Sequence, residues 1–130
     1  MSALSDYSEK LLLDWLMTTG SATRPTAWYV GLFTVAPSDS GGGTEVSGNG
    51  YSRQTVAFAA ASSPGGTTSN TGAVSFTASG GSWGTISHIG IFDNSTGGNL
   101  LWHGGITASK TIGDGDTLEF PIGNIDLTVA

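Results

Sequence analysis

Few residues in this chain have the type and spacing that chemistry requires. His88 and His103 are its two histidines, and they flank a turn at residues 94–99. Joined by Asp93 across a hairpin, they would make a metal site or a pH-sensitive cluster, because imidazole and carboxylate are both zinc ligands. Zinc wants three or four ligands and no third histidine exists, so cross-strand packing is the reading expected for this pair. Gly80-Gly81-Ser82-Trp83-Gly84 fits the G-x-S-x-G form of a hydrolase nucleophile. That elbow needs a strand before the serine and a helix after it. The residues after Ser82 read as a strand, so the motif is expected to be a glycine-rich turn. Asp114-Gly115-Asp116 offers two oxygen donors but lacks the longer ligand series and closing Glu of a calcium loop, which leaves turn chemistry. An enzyme acting on cell-wall sugars would need a carboxylate pair such as Asp93 with Asp116 or Glu119, and nothing in the spacing supports one. No catalytic, cofactor-binding or metal residue is therefore assigned, no cofactor is expected, and the chain reads as non-enzymatic.

Four tryptophans could stack on sugar rings. Trp15 falls on the apolar stripe of a helix, and Trp28 and Trp102 fall in apolar strand runs, so core or subunit-interface roles are expected for these three. Trp83, set among glycines, is the ring expected to be exposed. Asn94-Ser95-Thr96 matches a glycosylation sequon, but no secretory signal is visible and a hairpin turn is the expected role.

The elements that must position these residues follow from composition and period. The chain has 130 residues, enough for one domain spanning 1–130. Gly (21), Ser (17) and Thr (17) make 55 of the 130, whereas Asp, Glu, Lys and Arg make only 11%, less than half of the roughly 25% usual in globular domains. The polar surface is therefore mostly uncharged. Four Lys or Arg against ten Asp or Glu, a net charge of −6 with no basic run, cannot neutralise a phosphate backbone, which speaks against nucleic acid. No apolar run reaches the length of a membrane helix. With no cysteine, disulfides, thiolate metal sites and cysteine nucleophiles are excluded.

Leu4, Tyr7, Leu11 and Trp15, with Leu12 and Leu16 beside them, recur at helical steps and predict one amphipathic helix over about residues 3–18, capped by Ser2 or Ser5 and stopped by Gly20 and Pro25. After Pro25 the period changes to two. Short β-branched and aromatic runs predict strands over 28–34, 51–58, 72–76, 85–92, 100–107, 117–120 and 125–129. The first of these is apolar on both faces and is expected to be central. Loops are expected at 37–50 and 60–70, and hairpin turns at 94–98 and 113–116. The fold class is mainly β, an antiparallel β-sandwich or jelly-roll-like domain over about 26–130 behind one N-terminal amphipathic helix.

Several ordered blocks then form a pattern: Met1-Ser2-Ala3-Leu4-Ser5-Asp6-Tyr7 opening the helix, Trp28-Tyr29-Val30-Gly31-Leu32-Phe33-Thr34 with Ala36-Pro37, and Gly41-Gly42-Gly43-Thr44-Glu45-Val46-Ser47-Gly48 before Tyr51-Ser52-Arg53. Trp83-Gly84-Thr85, His88-Ile89-Gly90-Ile91-Phe92-Asp93, Gly97-Gly98-Asn99-Leu100-Leu101 and Ser109-Lys110-Thr111 continue it. Over nearly the whole chain this resembles a family of short virion proteins of tailed bacteriophages, some labelled minor capsid or decoration proteins and others tail-fibre or minor tail proteins. The resemblance implies a virion component made in the bacterial host cytoplasm. The reading carried forward is a capsid decoration protein on the capsid surface, favoured as a homotrimer that clamps the major capsid protein. The alternative is a tail-fibre or minor tail protein that aids host adsorption, with carbohydrate as ligand. The subunit or capsid contact is assigned to Leu4, Tyr7, Leu11, Trp15 and Leu16.

Overall fold

The computed structural model describes residues 2–62 and 65–129; Met1, Ser63, Pro64 and Ala130 lie outside the described residues, the first belonging to the opening motif and the next two to the expected loop 60–70. The elements run β1 (Ser2–Leu4), α1 (Asp6–Met17), β2 (Tyr29–Val35), β3 (Thr44–Glu45), β4 (Gln54–Thr55), β5 (Thr67–Ser69), β6 (Val74–Thr77), β7 (Gly84–Phe92), β8 (Leu100–Ile112), β9 (Thr117–Phe120) and β10 (Asp126–Thr128). The chain is mainly β and antiparallel, with one helix near its N-terminus. The helix begins later than its apolar period suggested, because Ala3 and Leu4 are drawn into a strand against His103 and Trp102 of β8. Ser5 is the cap: its hydroxyl oxygen accepts the Ser8 N–H at 3.1 Å and donates to the Leu100 carbonyl. Ser8 Oγ donates to the Leu101 carbonyl at 2.8 Å. Helix capping and attachment to the sheet are thus made by the same two side chains.

The main sheet has the order β1-β8-β7-β2-β3, with β4 also on β2. β2 is interior, as its two apolar faces required. β7 and β8 form the expected hairpin, in which Asp93 closes the turn by accepting the Asn99 N–H and side-chain amide at 2.7 and 2.9 Å. The second turn expected to make a hairpin does something else. Residues 113–116 carry the chain from β8 into β9, which pairs with β6, so this turn is a corner between layers. β5 pairs with β10, and β6 with β9. Between these two short ribbons Asn70, 2% exposed, uses its side chain to hold the Gly72 and Pro121 carbonyls and the Ile125 N–H. The run 51–58 is strand only at Gln54–Thr55, with a bridge from Phe58 to Asn70; the two expected loops instead supply β3 and β5.

Val30, Leu32, Ile86 and Ile91 of the main sheet meet Val74, Phe76, Leu118 and Phe120 of the ribbons in one buried cluster, a sandwich-like arrangement. An irregularity between Ile86 and His88 changes the phase of β7, so that Ile86 reaches this core as well as Ile91. On the opposite face of β2 and β7 lies a second buried group. Phe33 stacks on Phe92 with centroids 6.0 Å apart, and the Arg53 guanidinium sits 3.5 Å from the Phe92 ring centroid. Arg53, its side chain 8% exposed, forms a two-pronged pair with Glu45 at 2.8 Å on each prong. It also donates to the Asn94 and Gly97 carbonyls. Tyr51 donates to Glu45 at 2.6 Å and accepts the Leu32 N–H at 2.9 Å, filling the gap between β3 and β4 along the edge of β2. Gly31 lies under this network, where a Cβ would stand 2.7 Å from Glu45 Oε2. A buried ion pair with every partner satisfied holds its loops in one arrangement, whereas removing one partner would leave a costly lone charge.

Burial raises the Tyr51 phenol above its ordinary range, and the hydrogen bond to the Glu45 carboxylate adds to the shift. In the unfolded chain it ionises near pH ~10; in the fold it holds its proton to higher pH. Stability is therefore expected to fall as pH rises above about 10, by up to ~1.4 kcal/mol per pH unit. Tyr51→Phe should flatten this slope. Urea titrations of both proteins between pH ~9 and ~11.5 check it, and parallel curves would contradict the network.

Candidate contact surface

The residues that suggested catalysis each have a separate hydrogen-bond partner, even the two histidines, which are diagonal neighbours in the sheet. His88 lies opposite Gly105 and His103 opposite Gly90 across the β7–β8 hairpin. His88 Nδ1 is 2.8 Å from Ser87 Oγ, and His103 Nε2 is 2.7 Å from Asp39 Oδ1. Among the described residues no group of three or more His, Asp or Glu could hold a metal. Ser82 sits in a turn two residues before β7, its hydroxyl accepting the Gly84 N–H at 3.1 Å, so no helix follows it. Asp114 accepts the Gly80 N–H and Asp116 the Gly113 N–H, the work of turn carboxylates. Asp93 and Asp116 flank opposite ends of the nine-residue β7, which at ~3.3 Å per residue puts them roughly 25 Å or more apart, beyond the ~5–10 Å of a glycosidase pair. Glu119 accepts from Ser75 across β6 and β9.

Trp83 departs from expectation. It is buried, 7% exposed, with its indole N–H donated to the Asn49 carbonyl at 3.0 Å and its ring edge-on to Tyr51. The surrounding glycines allow the 37–50 loop to close over it instead of exposing it.

The other three tryptophans converge. Leu11, Trp15, Trp28, Phe58, Trp102 and Leu127 line an apolar groove of about 590 Å³ between α1 and the body of the domain, with Arg24 and Val129 also along it. Trp28 and Trp102 are half-buried, whereas Trp15 is 66% exposed, so Trp15 is not a core residue within this chain. The polar groups on the groove are few: Ser8 holds the Leu101 carbonyl and Thr68 the Ala59 carbonyl, while the Arg24 guanidinium makes no ion pair among the described residues. Trp102 Nε1 is buried with no hydrogen-bond partner among the described residues. Of the five residues assigned to a contact, Leu4 and Leu11 are half-buried on the groove side, while Tyr7, Trp15 and Leu16 are exposed. Leu13 and Met17 are exposed too, at 58% and 74%. The last seven residues of α1, Leu11 to Met17, hold one charge, Asp14, and present apolar side chains to the groove and to the solvent alike. The helix was legible as amphipathic; its second apolar side was not, because Leu13 and Met17 fall off the stripe that sets the period.

This geometry defines a small antiparallel β domain with an exposed apolar helix face beside an apolar groove. Residues 3–128 match the family described as podophage GP4 fiber I protein gp80, and the chain belongs to that family of phage virion proteins, which carries a fibre label. No curated protein matches the chain.

Trp83 and Trp102 differ in burial and in hydrogen bonding, and a stability measurement can read both. Shortening either ring to Phe loses packing, but only Trp83→Phe also breaks a hydrogen bond and leaves the Asn49 carbonyl without its indole donor. Trp83→Phe should cost about 1–2 kcal/mol more than Trp102→Phe, measured by chemical unfolding of the two variants.

Proposed function

We propose that this chain is a non-enzymatic structural subunit of a podophage tail fibre, held in the virion by the apolar surface that α1 and its groove present. The observation that carries this reading is the uncovered helix: Leu13, Trp15, Leu16 and Met17 cluster there, each more than half exposed, whereas the other large apolar residues exposed to that degree, Val35 and Ile122, lie elsewhere in the chain, and such patches mark interaction sites. The fibre label of the family favours the tail-fibre alternative over capsid decoration. Host adsorption through a sugar platform at Trp83 drops out, since that ring is buried. The groove is lined mainly by apolar side chains, whereas a sugar site needs several convergent donors and acceptors.

Counting tests the placement. Quantitative mass spectrometry of purified virions should find this chain in a few to tens of copies per particle, and gold-labelled antibody should mark the tail. A copy number approaching that of the major capsid protein, with label spread over the head, would restore capsid decoration. Absence from purified particles would remove both.

A further inference from the structure

We propose that the groove beside α1 receives the outward ridge of the same helix from a second copy of this chain, so that copies join head to tail. The proposal deepens the fibre-subunit reading by naming the partner of its contact surface. Glu9, Leu13 and Leu16 stand at positions i, i+4 and i+7 and form one stripe, with Met17 beside it at the helix end. Ser8, Leu11, Leu12 and Trp15 line the groove on the other side of that helix. Each copy therefore carries a ridge and a groove back to back, the arrangement of a heterologous contact that closes into a ring when the rotation permits.

Area and charge both fit a second copy. At roughly 150–250 Å² for each of these large residues, the exposed fractions of Leu13, Leu16 and Met17 leave on the order of 350 Å² of ridge. That is a little under half of the ~800 Å² that each partner gives to a standard interface, which suits a small, weak contact. The groove, with the exposed Trp15 ring on its wall, is the other copy's share. At about 590 Å³ the groove has room for several apolar side chains. Arg24, exposed on the groove, makes no ion pair among the described residues, and Glu9 on the ridge makes none either. The chain has only four cations, and Lys10 and Arg53 are engaged within it. A free guanidinium at the groove and a free carboxylate on the ridge give the docking a register that an apolar contact alone would lack.

The test uses the full chain in sedimentation equilibrium from ~1 µM to ~1 mM, a span set by the affinities of weak to moderate interfaces. Wild type should gain mass with concentration. Leu16→Glu should stay monomeric while keeping the circular dichroism and melting temperature of dilute wild type. Glu9→Arg and Arg24→Glu should each weaken association about tenfold, and the doubly exchanged chain should regain most of it. Because the chain has no cysteine, a mixture of Met17→Cys and Val129→Cys chains offers a second readout, with oxidation expected to link the two variants. A wild type that remains monomeric overturns the proposal and leaves the surface to a different virion protein. Association that ignores Leu16→Glu, or a double exchange that restores nothing, overturns it as well. Presence in virions is read separately, so a monomer found in the fibre defeats this proposal alone.

Discussion

A helix whose last two turns carry large apolar side chains on two sides cannot cover both by resting against one surface. α1 turns Ser8, Leu11 and Leu12 toward the body and groove, yet Leu13, Leu16 and Met17 remain in water on its other sides. Clustered exposed apolar side chains of this kind mark interaction surfaces. The β domain beneath has closed its own core with side chains from two layers, so it has nothing left with which to cover the far side of the helix. On the proposed reading, cover comes from outside the chain, and this links the fold to a place in an assembly.

The rest of the molecule is arranged to hold that helix still. β1 locks onto the outer edge of β8, and Ser5 and Ser8 join the first helical turn to the Leu100 and Leu101 carbonyls. β8 is registered against β7, and the turn between them is held twice, by Asp93 from inside and by Arg53 from across the sheet. A domain with so few charges spends two of them on the Glu45–Arg53 pair, set under an aromatic stack and tied to Tyr51. Asn70 plays the corresponding part in the ribbon layer. These polar pins contribute geometry more than stability: buried ion pairs roughly balance their desolvation cost while penalising any other arrangement of the loops.

Much of this was legible in the residues. The change of period after Pro25, the both-face apolar run of β2 and the β7–β8 hairpin all follow from local pattern. What escaped is non-local. β1 forms because Trp102 and His103, about a hundred positions away, offer an edge to residues that by period belong to the helix. Trp83 was expected in solvent because its neighbours are glycines; the structure shows those glycines letting a loop fold over it. The Glu45–Arg53–Tyr51 network left only a faint trace, a lone arginine after a tyrosine in a chain with four cations. The groove was unreadable for a similar reason, since its walls come from α1, β8, β10 and the segments around Trp28 and Phe58, far apart in sequence.

Phage virion membership by family, a fibre label and an uncovered apolar helix together support the proposal of a subunit that functions by being packed. Amide hydrogen exchange over residues 11–17, compared between the free dilute chain and the intact virion, addresses that claim most directly. The account predicts rapid exchange toward the helix end in the free chain and at least hundredfold slower exchange once the chain is in the particle, with residues of the domain core little changed. Equal exchange in both states would mean that the helix stays open to water in the virion, and would contradict the account.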